Sequence, residues 1–182
     1  MGNGLFLFKT FFMPKPNEGT FPVYFSNYIN KVPEENVADA FAKQHAVVQD
    51  FFKTIPADKE DFAYAPGKWT LKEMLQHIVD TERIFAYRAL CVARKETQSL
   101  PGFDENEYAK NSYGNRRNWQ SLIQELIAVR QTTEILFNSF SEETLHQSGL
   151  SNNNPVTVNA LGFITVGHIY HHIDIIKERY LG

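Results

Sequence analysis

Four long segments of this chain place apolar residues three or four positions apart, which is the spacing of one face of an α-helix. One of them begins after Thr70, where Thr70 and Glu73 have the spacing of a capping box and can each bond the other's backbone amide. We expect this helix to end near Lys95. The other three are expected from residues 33–36 to 55, from 118 to 140, and from about 157 towards the C-terminus.

The remaining sequence predicts loops and no sheet. Apolar and polar residues do not alternate over the length of a strand, and no repeat of fixed period is visible. Loops are expected at residues 100–115, which contain Pro101-Gly102, and at residues 149–155, which contain three consecutive asparagines. Four helices with one long crossover predict an all-α, four-helix up-and-down bundle, a fold that often binds metal between facing helices.

The N-terminal part is predicted to be irregular. Residues 1–12 form an apolar stretch, interrupted by Lys9, that is too short to span a bilayer and lacks the features of a signal peptide. We expect it to be an extension outside a single domain at residues 13–182, with Met13 as an alternative natural start. Four prolines at residues 14–33 disfavour a long helix, although a short one is expected near residues 23–30.

Charge and cysteine content exclude several classes of function. The net charge is −3 and no basic run is longer than the pair Arg116-Arg117, so nucleic acid is not an expected partner. The single cysteine, Cys91, rules out an internal disulfide and fits a reducing compartment. We therefore expect a cytoplasmic protein without a membrane partner.

Three of the six histidines lie close together in the last predicted helix. His168 and His172 are four positions apart, so their imidazoles share one helix face and can bind the same metal ion. His171 is the rival ligand, but it points about 100° away from His172. We favour His172 as the ligand and place His171 at the rim; a surface role for His171 remains equally open. Ile169 follows His168, so the HExxH motif with its built-in general base is absent.

His77, in the second predicted helix, is the best third ligand. Asp80 and Glu82 follow it and could orient its ring or act as a base for substrate. The simpler interpretation is that both acids only pair with Arg83 and Arg88 on the helix surface. Glu82, however, falls on the apolar stripe, which predicts a buried partner for it.

With these residues in place, the chain resembles the DinB superfamily, particularly its DinB/YfiT-like metalloenzymes, from about Met13 to the end. Each motif is weak alone, but their order and spacing are specific. The resemblance rests on YAPGKWT at 64–70, His77 with Asp80, Glu82, Arg83 and Arg88, LPGFD at 100–104, Gly167-His168, His171-His172, and Glu178-Arg179-Tyr180.

The resemblance implies a four-helix bundle, often a homodimer, with a three-histidine site for a divalent metal such as zinc or nickel. The matching positions are His77, His168 and His172. Some members resemble thiol S-transferases that use low-molecular-weight thiols, others maleylpyruvate isomerases, and many have no assigned reaction.

Three neutral imidazoles would leave a bound ion its full charge, which lowers the pKa of a bound water or thiol. We hypothesise that the site activates a small-molecule thiol or water, that Asp80 or Glu82 orients His77, and that Arg88 holds an anionic group of the substrate. The alternative is a non-catalytic metal-binding bundle that acts as a stress-response or interaction protein. An open coordination position would favour the enzyme, and a saturated one the structural role.

Overall fold

The computed structural model describes residues 13–182, so the expectations for residues 1–12 concern a segment outside this range. A short 3₁₀-helix, Val23–Phe25, leads into the first α-helix. The described α-helices are α1 Ser26–Ile29, α2 Val37–Asp50, α3 Leu71–Ala93, α4 Glu105–Ser112, α5 Trp119–Asn138, α6 Glu142–Leu145 and α7 Val158–Ile175. No helix within this part of the chain has both the length and the apolarity to cross a bilayer.

Helices α2, α3, α5 and α7 form the predicted four-helix bundle. The main contacts join α2 to α5 and α7, and join α3 to the same two helices, so α2 lies opposite α3. Helix α1 packs on α7, and its position confirms the short helix expected near residues 23–30. The predicted starts of the four long helices agree with the structure to within a few residues.

The capping box of α3 is present as predicted. The Glu73 amide donates to Thr70 Oγ1 over 3.2 Å, and the Thr70 amide donates to Glu73 Oε2 over 2.8 Å. Two amides at the helix start, which have no partner inside the helix, are satisfied in this way.

Thr70→Ala is expected to lower the free energy of unfolding by about 1 kcal/mol, the usual cost of losing an N-cap. Urea unfolding of the purified protein measures this change. Thr70→Ser keeps the hydroxyl and should stay close to the wild type; an equal loss in both variants would show that the capping bond is not the cause.

Helix α4 occupies part of the region predicted to be a loop. Asp104 caps it, because one carboxylate oxygen accepts from the amides of Asn106 and Glu107, both over 2.9 Å. Only Ala109 of this helix is buried. A helix with so little buried surface has no apolar stripe, which is why the spacing of apolar residues did not reveal it.

A short antiparallel hairpin corrects the second loop prediction. Its strands are β1 Ser148–Ser151 and β2 Asn154–Thr157. Asn152 and Asn153 connect them with φ of 49° and 60°, the conformation of a two-residue hairpin turn that asparagine tolerates. The Leu100 amide donates to Leu150 O and the Asn152 amide donates to Leu100 O, so the hairpin fixes the loop at residues 100–104.

Helix α7 is central, since every residue from 158 to 169 is buried. Gly167 allows α1 to approach closely: a Cβ at this position would lie 2.1 Å from the backbone oxygen of Tyr28. This contact brings the Tyr28 ring within 5.5 Å of the His168 ring, measured between centroids. The close packing of α1 on α7 therefore positions an aromatic side chain beside a predicted ligand.

A polar layer separates two apolar clusters of the bundle. All four long helices contribute buried polar residues to it, among them Gln44, Glu82, Arg130 and His168. On each helix, the apolar residues on the two sides of this layer belong to different clusters. One cluster contains Phe41, Phe85, Phe137 and Val166, and the other contains Val48, Val79, Val129 and Ile169.

Glu82 and Arg130 form a buried ion pair within this layer. Arg130 Nη2 donates to Glu82 Oε2 over 2.9 Å, and Arg130 Nε lies 2.9 Å from Glu82 Oε1. Both side chains are only 1% exposed. This confirms the prediction of a buried partner for Glu82 and identifies it as Arg130, not as Arg83 or Arg88.

Candidate metal centre

Three buried histidine nitrogens converge between α3 and α7. His77 Nε2 lies 3.1 Å from His168 Nε2, and His172 Nε2 lies 2.9 Å from the same atom. The potential ligand atoms of the three residues all lie within 4.8 Å of one another. The structure therefore brings together the three residues that the sequence analysis selected.

The arrangement fits a divalent metal ion. In a tetrahedral site with metal–nitrogen bonds of about 2.0–2.1 Å, neighbouring ligand nitrogens lie about 3.3 Å apart. Hydrogen bonds satisfy the cluster less well, because an imidazole nitrogen has either one proton or one lone pair in the ring plane. His168 Nε2 faces two nitrogens and cannot donate to one while accepting from the other. An ion that binds three lone pairs removes this conflict.

The three rings are neutral at pH 7. The pKa of His77 is lowered to about 4, mainly by burial and also by charge repulsion from His171. Burial also holds the pKa of His168 and of His172 well below the usual value, and repulsion from neighbouring imidazoles acts in the same direction. Their lone pairs are consequently available to a metal at neutral pH.

The metal-free protein is expected to lose stability as the pH falls from about 6.5 towards 4. Within this range the unfolded chain binds a proton at His77 that the folded protein rejects, so unfolding becomes more favourable. A pKa change from 6.5 to about 4 corresponds to about 3 kcal/mol. Urea unfolding of chelator-treated protein at several pH values measures this loss.

His77→Leu should show a shallower dependence of unfolding free energy on pH over the same range, because it cannot bind this proton. Protonation of carboxylates changes the unfolding free energy of both proteins equally, so the difference between the two pH profiles reports His77. Identical pH profiles would contradict the assignment of the effect to His77.

Thr81, not Asp80 or Glu82, contacts the far side of the His77 ring. Thr81 Oγ1 lies 3.4 Å from His77 Nδ1, so it can accept the Nδ1–H when Nε2 binds a metal. Asp80 instead accepts from Gln76 over 2.9 Å, and Glu82 pairs with Arg130. Neither acid therefore has the contact with His77 that was expected. Thr81 lies four positions from His77 on the same helix face; Asp80, three positions away, is also within reach of that face but bonds Gln76, and Glu82 points into the core.

The other nitrogens near the site differ in their contacts. His172 Nδ1 is buried and has no hydrogen-bond partner among the described residues. His171 is not part of the converging group; it is partly exposed, and its ring packs 4.9 Å from the Tyr28 ring.

A cavity of about 410 Å³ reaches the three histidines, a volume that suits a small organic molecule. Its wall is largely aromatic, formed by Tyr24, Phe25, Tyr28, Trp69, Phe85 and Phe103. Apart from the histidines and these aromatic residues, its polar side chains are Thr81, Arg88, Glu105, Asn106 and Asn152. Neither Asp80 nor Glu82 lines it.

Sequence reasoning found Arg88 among these residues but missed Glu105 and Asn152. Both lie in segments predicted to be loops, and their place at the cavity depends on the packing of α4 and the hairpin. The Asp104 cap and the run of asparagines were the available signals. Neither signal indicates which cavity the following residues line.

Comparisons with known proteins agree with this fold. A sequence model of the DinB superfamily matches residues 40–176. A similar solved structure is YfiT from Bacillus subtilis, described as a probable metal-dependent hydrolase with an unusual four-helix bundle topology; the TM-score is 0.67, the identity is 17%, and 90% of each chain is covered. A comparison with curated proteins finds no match. The chain belongs to the DinB superfamily.

Proposed function

We propose that this protein is a divalent-metal-dependent enzyme of the hydrolase type, with zinc or nickel bound by His77, His168 and His172. The observation that supports it most directly is the convergence of three buried, neutral imidazole nitrogens beside a cavity of substrate size. The similar fold of YfiT, itself described as a probable metal-dependent hydrolase, adds support.

The protein contributes position and environment to this chemistry. A divalent ion with three neutral ligands supplies positive charge that lowers the pKa of water towards neutrality. Thr81 Oγ1 is placed to accept the Nδ1–H of His77, which would favour the tautomer whose Nε2 lone pair points at the cluster. The aromatic wall limits the access of bulk water, which strengthens electrostatic interactions with the substrate.

The same site could activate a small-molecule thiol, which makes thiol S-transfer the second reaction to test. Both reactions need one coordination position that the protein does not fill. Among residues 13–182 the converging group contains only three potential ligands, which leaves the fourth position of a tetrahedral site to a small molecule.

The test combines metal analysis with two activity screens on one preparation. We expect about one zinc or nickel ion per chain and turnover of an activated ester or amide. Conjugation of monobromobimane with several low-molecular-weight thiols tests the transferase reaction in parallel. Thiol conjugation without hydrolysis would replace the hydrolase assignment with a transferase.

Bound metal without turnover in either screen would favour the alternative of a non-catalytic metal-binding bundle. Absence of stoichiometric metal after loading with either ion would overturn the proposal as a whole. His146→Ala, which changes an exposed histidine, is the matched control for both measurements.

A further inference from the structure

Arg88 is a buried cation that lines the cavity without a carboxylate partner. It is 6% exposed, and its Nη2 donates to the Pro101 carbonyl over 2.7 Å. Its Cζ lies 6.0 Å from the centroid of the Phe85 ring and 5.9 Å from that of Phe103. Among residues 13–182, no acid forms a salt bridge with it. The guanidinium is therefore hydrogen-bonded to a neutral carbonyl, and Glu105 attracts it without forming a salt bridge.

This environment leaves binding capacity unused. A guanidinium has five N–H donors, and a buried charge is costly unless hydrogen bonds and an opposite charge compensate for it. Pro101 supplies a neutral acceptor. An oxyanion that enters the cavity would supply charge-assisted hydrogen bonds, which are about twice as strong as neutral ones.

Arg88 and the histidines lie at different depths along one wall of the cavity. His77, Thr81 and Arg88 share one face of α3 because they are separated by four and seven residues. At 1.5 Å per residue, the Cα atoms of His77 and Arg88 are about 16 Å apart, but the long Arg88 side chain shortens the gap. The Phe85 ring lies 6.0 Å from Arg88 Cζ and 5.9 Å from the His168 ring, so the guanidinium is at most about 12 Å from that ring. A ligand that touches both ends must be elongated, and the wall between them is aromatic.

The charge of the cavity favours a singly charged group. Arg88 is the one Lys or Arg side chain that lines it within the described part of the chain, and Glu105 lines it as well. Glu105 is exposed and forms no salt bridge with Arg88. A doubly charged phosphate would meet one cation and one nearby anion, whereas a carboxylate needs only the guanidinium.

We infer that the cavity binds an elongated molecule with an apolar or aromatic middle and a terminal carboxylate, that Arg88 binds this carboxylate, and that the other end lies at the three histidines. The position of the reacting end rests on the proposed function. The binding of the carboxylate by Arg88 does not, because it requires no metal.

The probe is 4-phenylbutyrate, with its uncharged amide as the matched control ligand. Trp69 lines the cavity, whereas Trp119 is buried and donates to Phe52 O, so quenching of Trp69 fluorescence reports binding. Trp69→Phe verifies the source of the signal. The acid is expected to bind at least about tenfold more tightly than the amide, as hydrogen bonds to a charged group allow.

Two variants test the charges from opposite directions. Arg88→Gln should remove the preference for the acid and leave amide binding nearly unchanged. Glu105→Gln should tighten acid binding by about two- to fivefold, the range for an exposed charge, without affecting the amide. If Arg88→Gln does not fold, Glu105→Gln still decides, because an unchanged acid affinity would overturn the inference.

His168→Ala separates this inference from the proposed function. If Arg88 binds the carboxylate, the preference for acid over amide persists in this variant even when metal binding and turnover are lost. A preference that disappears with the metal would show that the carboxylate binds the ion and would overturn the inference. Equal binding of acetate and 4-phenylbutyrate would overturn the requirement for an elongated ligand.

Discussion

His168→Ala is expected to abolish stoichiometric binding of a divalent metal and every reaction that depends on it. The Nε2 atom of His168 lies between those of His77 and His172, at 3.1 Å and 2.9 Å. Its removal would leave only two of the three nitrogens that can bind the ion. We expect metal affinity to fall by more than the factor of about 10–100 that losing an outer contact to a ligand costs.

Metal content of the purified variants and calorimetric titration with zinc or nickel measure this effect, and circular dichroism verifies the fold. His146→Ala should bind metal as the wild type does. His171→Ala separates the two sequence-based assignments: little change would support its place at the rim, whereas a loss as large as that of His168→Ala would place it in the ligand set. Unchanged metal binding in His168→Ala would exclude the proposed centre.

Breaking the buried ion pair is expected to cost about 3–5 kcal/mol of unfolding free energy, because one charge remains without a partner in the core. Glu82→Leu would leave the Arg130 guanidinium, and Arg130→Met would leave the Glu82 carboxylate. Burial raises the pKa of Glu82, and Arg130 opposes this rise, so removing Arg130 should drive Glu82 towards its protonated form. Protonation would reduce the penalty for Arg130→Met as the pH falls.

The double variant Glu82→Leu/Arg130→Met should recover most of this loss, because neither charge is then buried. Urea unfolding of the two single variants and the double variant gives the coupling energy. Asp80→Ala is the comparison, since Asp80 is partly exposed and lies 3.9 Å from Arg83 Nη1. It should cost below about 1 kcal/mol. If Glu82→Leu and Arg130→Met each cost no more unfolding free energy than Asp80→Ala, the ion pair does not stabilise the fold.

The polar layer that contains the Glu82–Arg130 pair sets the register of the bundle helices. Gln44 Nε2 donates to the backbone oxygen of Val166, two residues before His168 on α7. Together with the ion pair, this bond fixes the register of the bundle helices next to the candidate ligands. Apolar contacts tolerate small shifts along a helix, whereas hydrogen bonds in a low-dielectric core do not.

Several features follow from the sequence because their causes are local. A capping box spans three residues, and the apolar face of a helix recurs every three or four, so α3 and the other long helices could be located without coordinates. The pairing of His168 with His172 is also local, because four residues correspond to about one helical turn. Helix α4 was not predicted, because it buries only one residue and therefore has no apolar residues at helical spacing.

Other features depend on packing between distant segments. His77 and His168 are 91 positions apart in the chain, and Glu82 is 48 positions from Arg130. The motifs of the superfamily indicated the first pair, but the spacing of residues indicates neither. Arg88, expected to bind an anion, could equally have paired with a nearby acid on its own helix. Its hydrogen bond to Pro101 and its contact with Phe103 depend on a loop that the hairpin holds by hydrogen bonds to Leu100.

The sequence alone therefore determined the four long helices and placed His168 and His172 on one face of the last of them, because helical periodicity relates residues within one or a few turns. The tertiary structure decided which side chains meet: Thr81 and not Asp80 or Glu82 against His77, and Arg130 against Glu82. The physical reason is that the direction of a side chain follows from its own helix, whereas its partner depends on how that helix packs against the others.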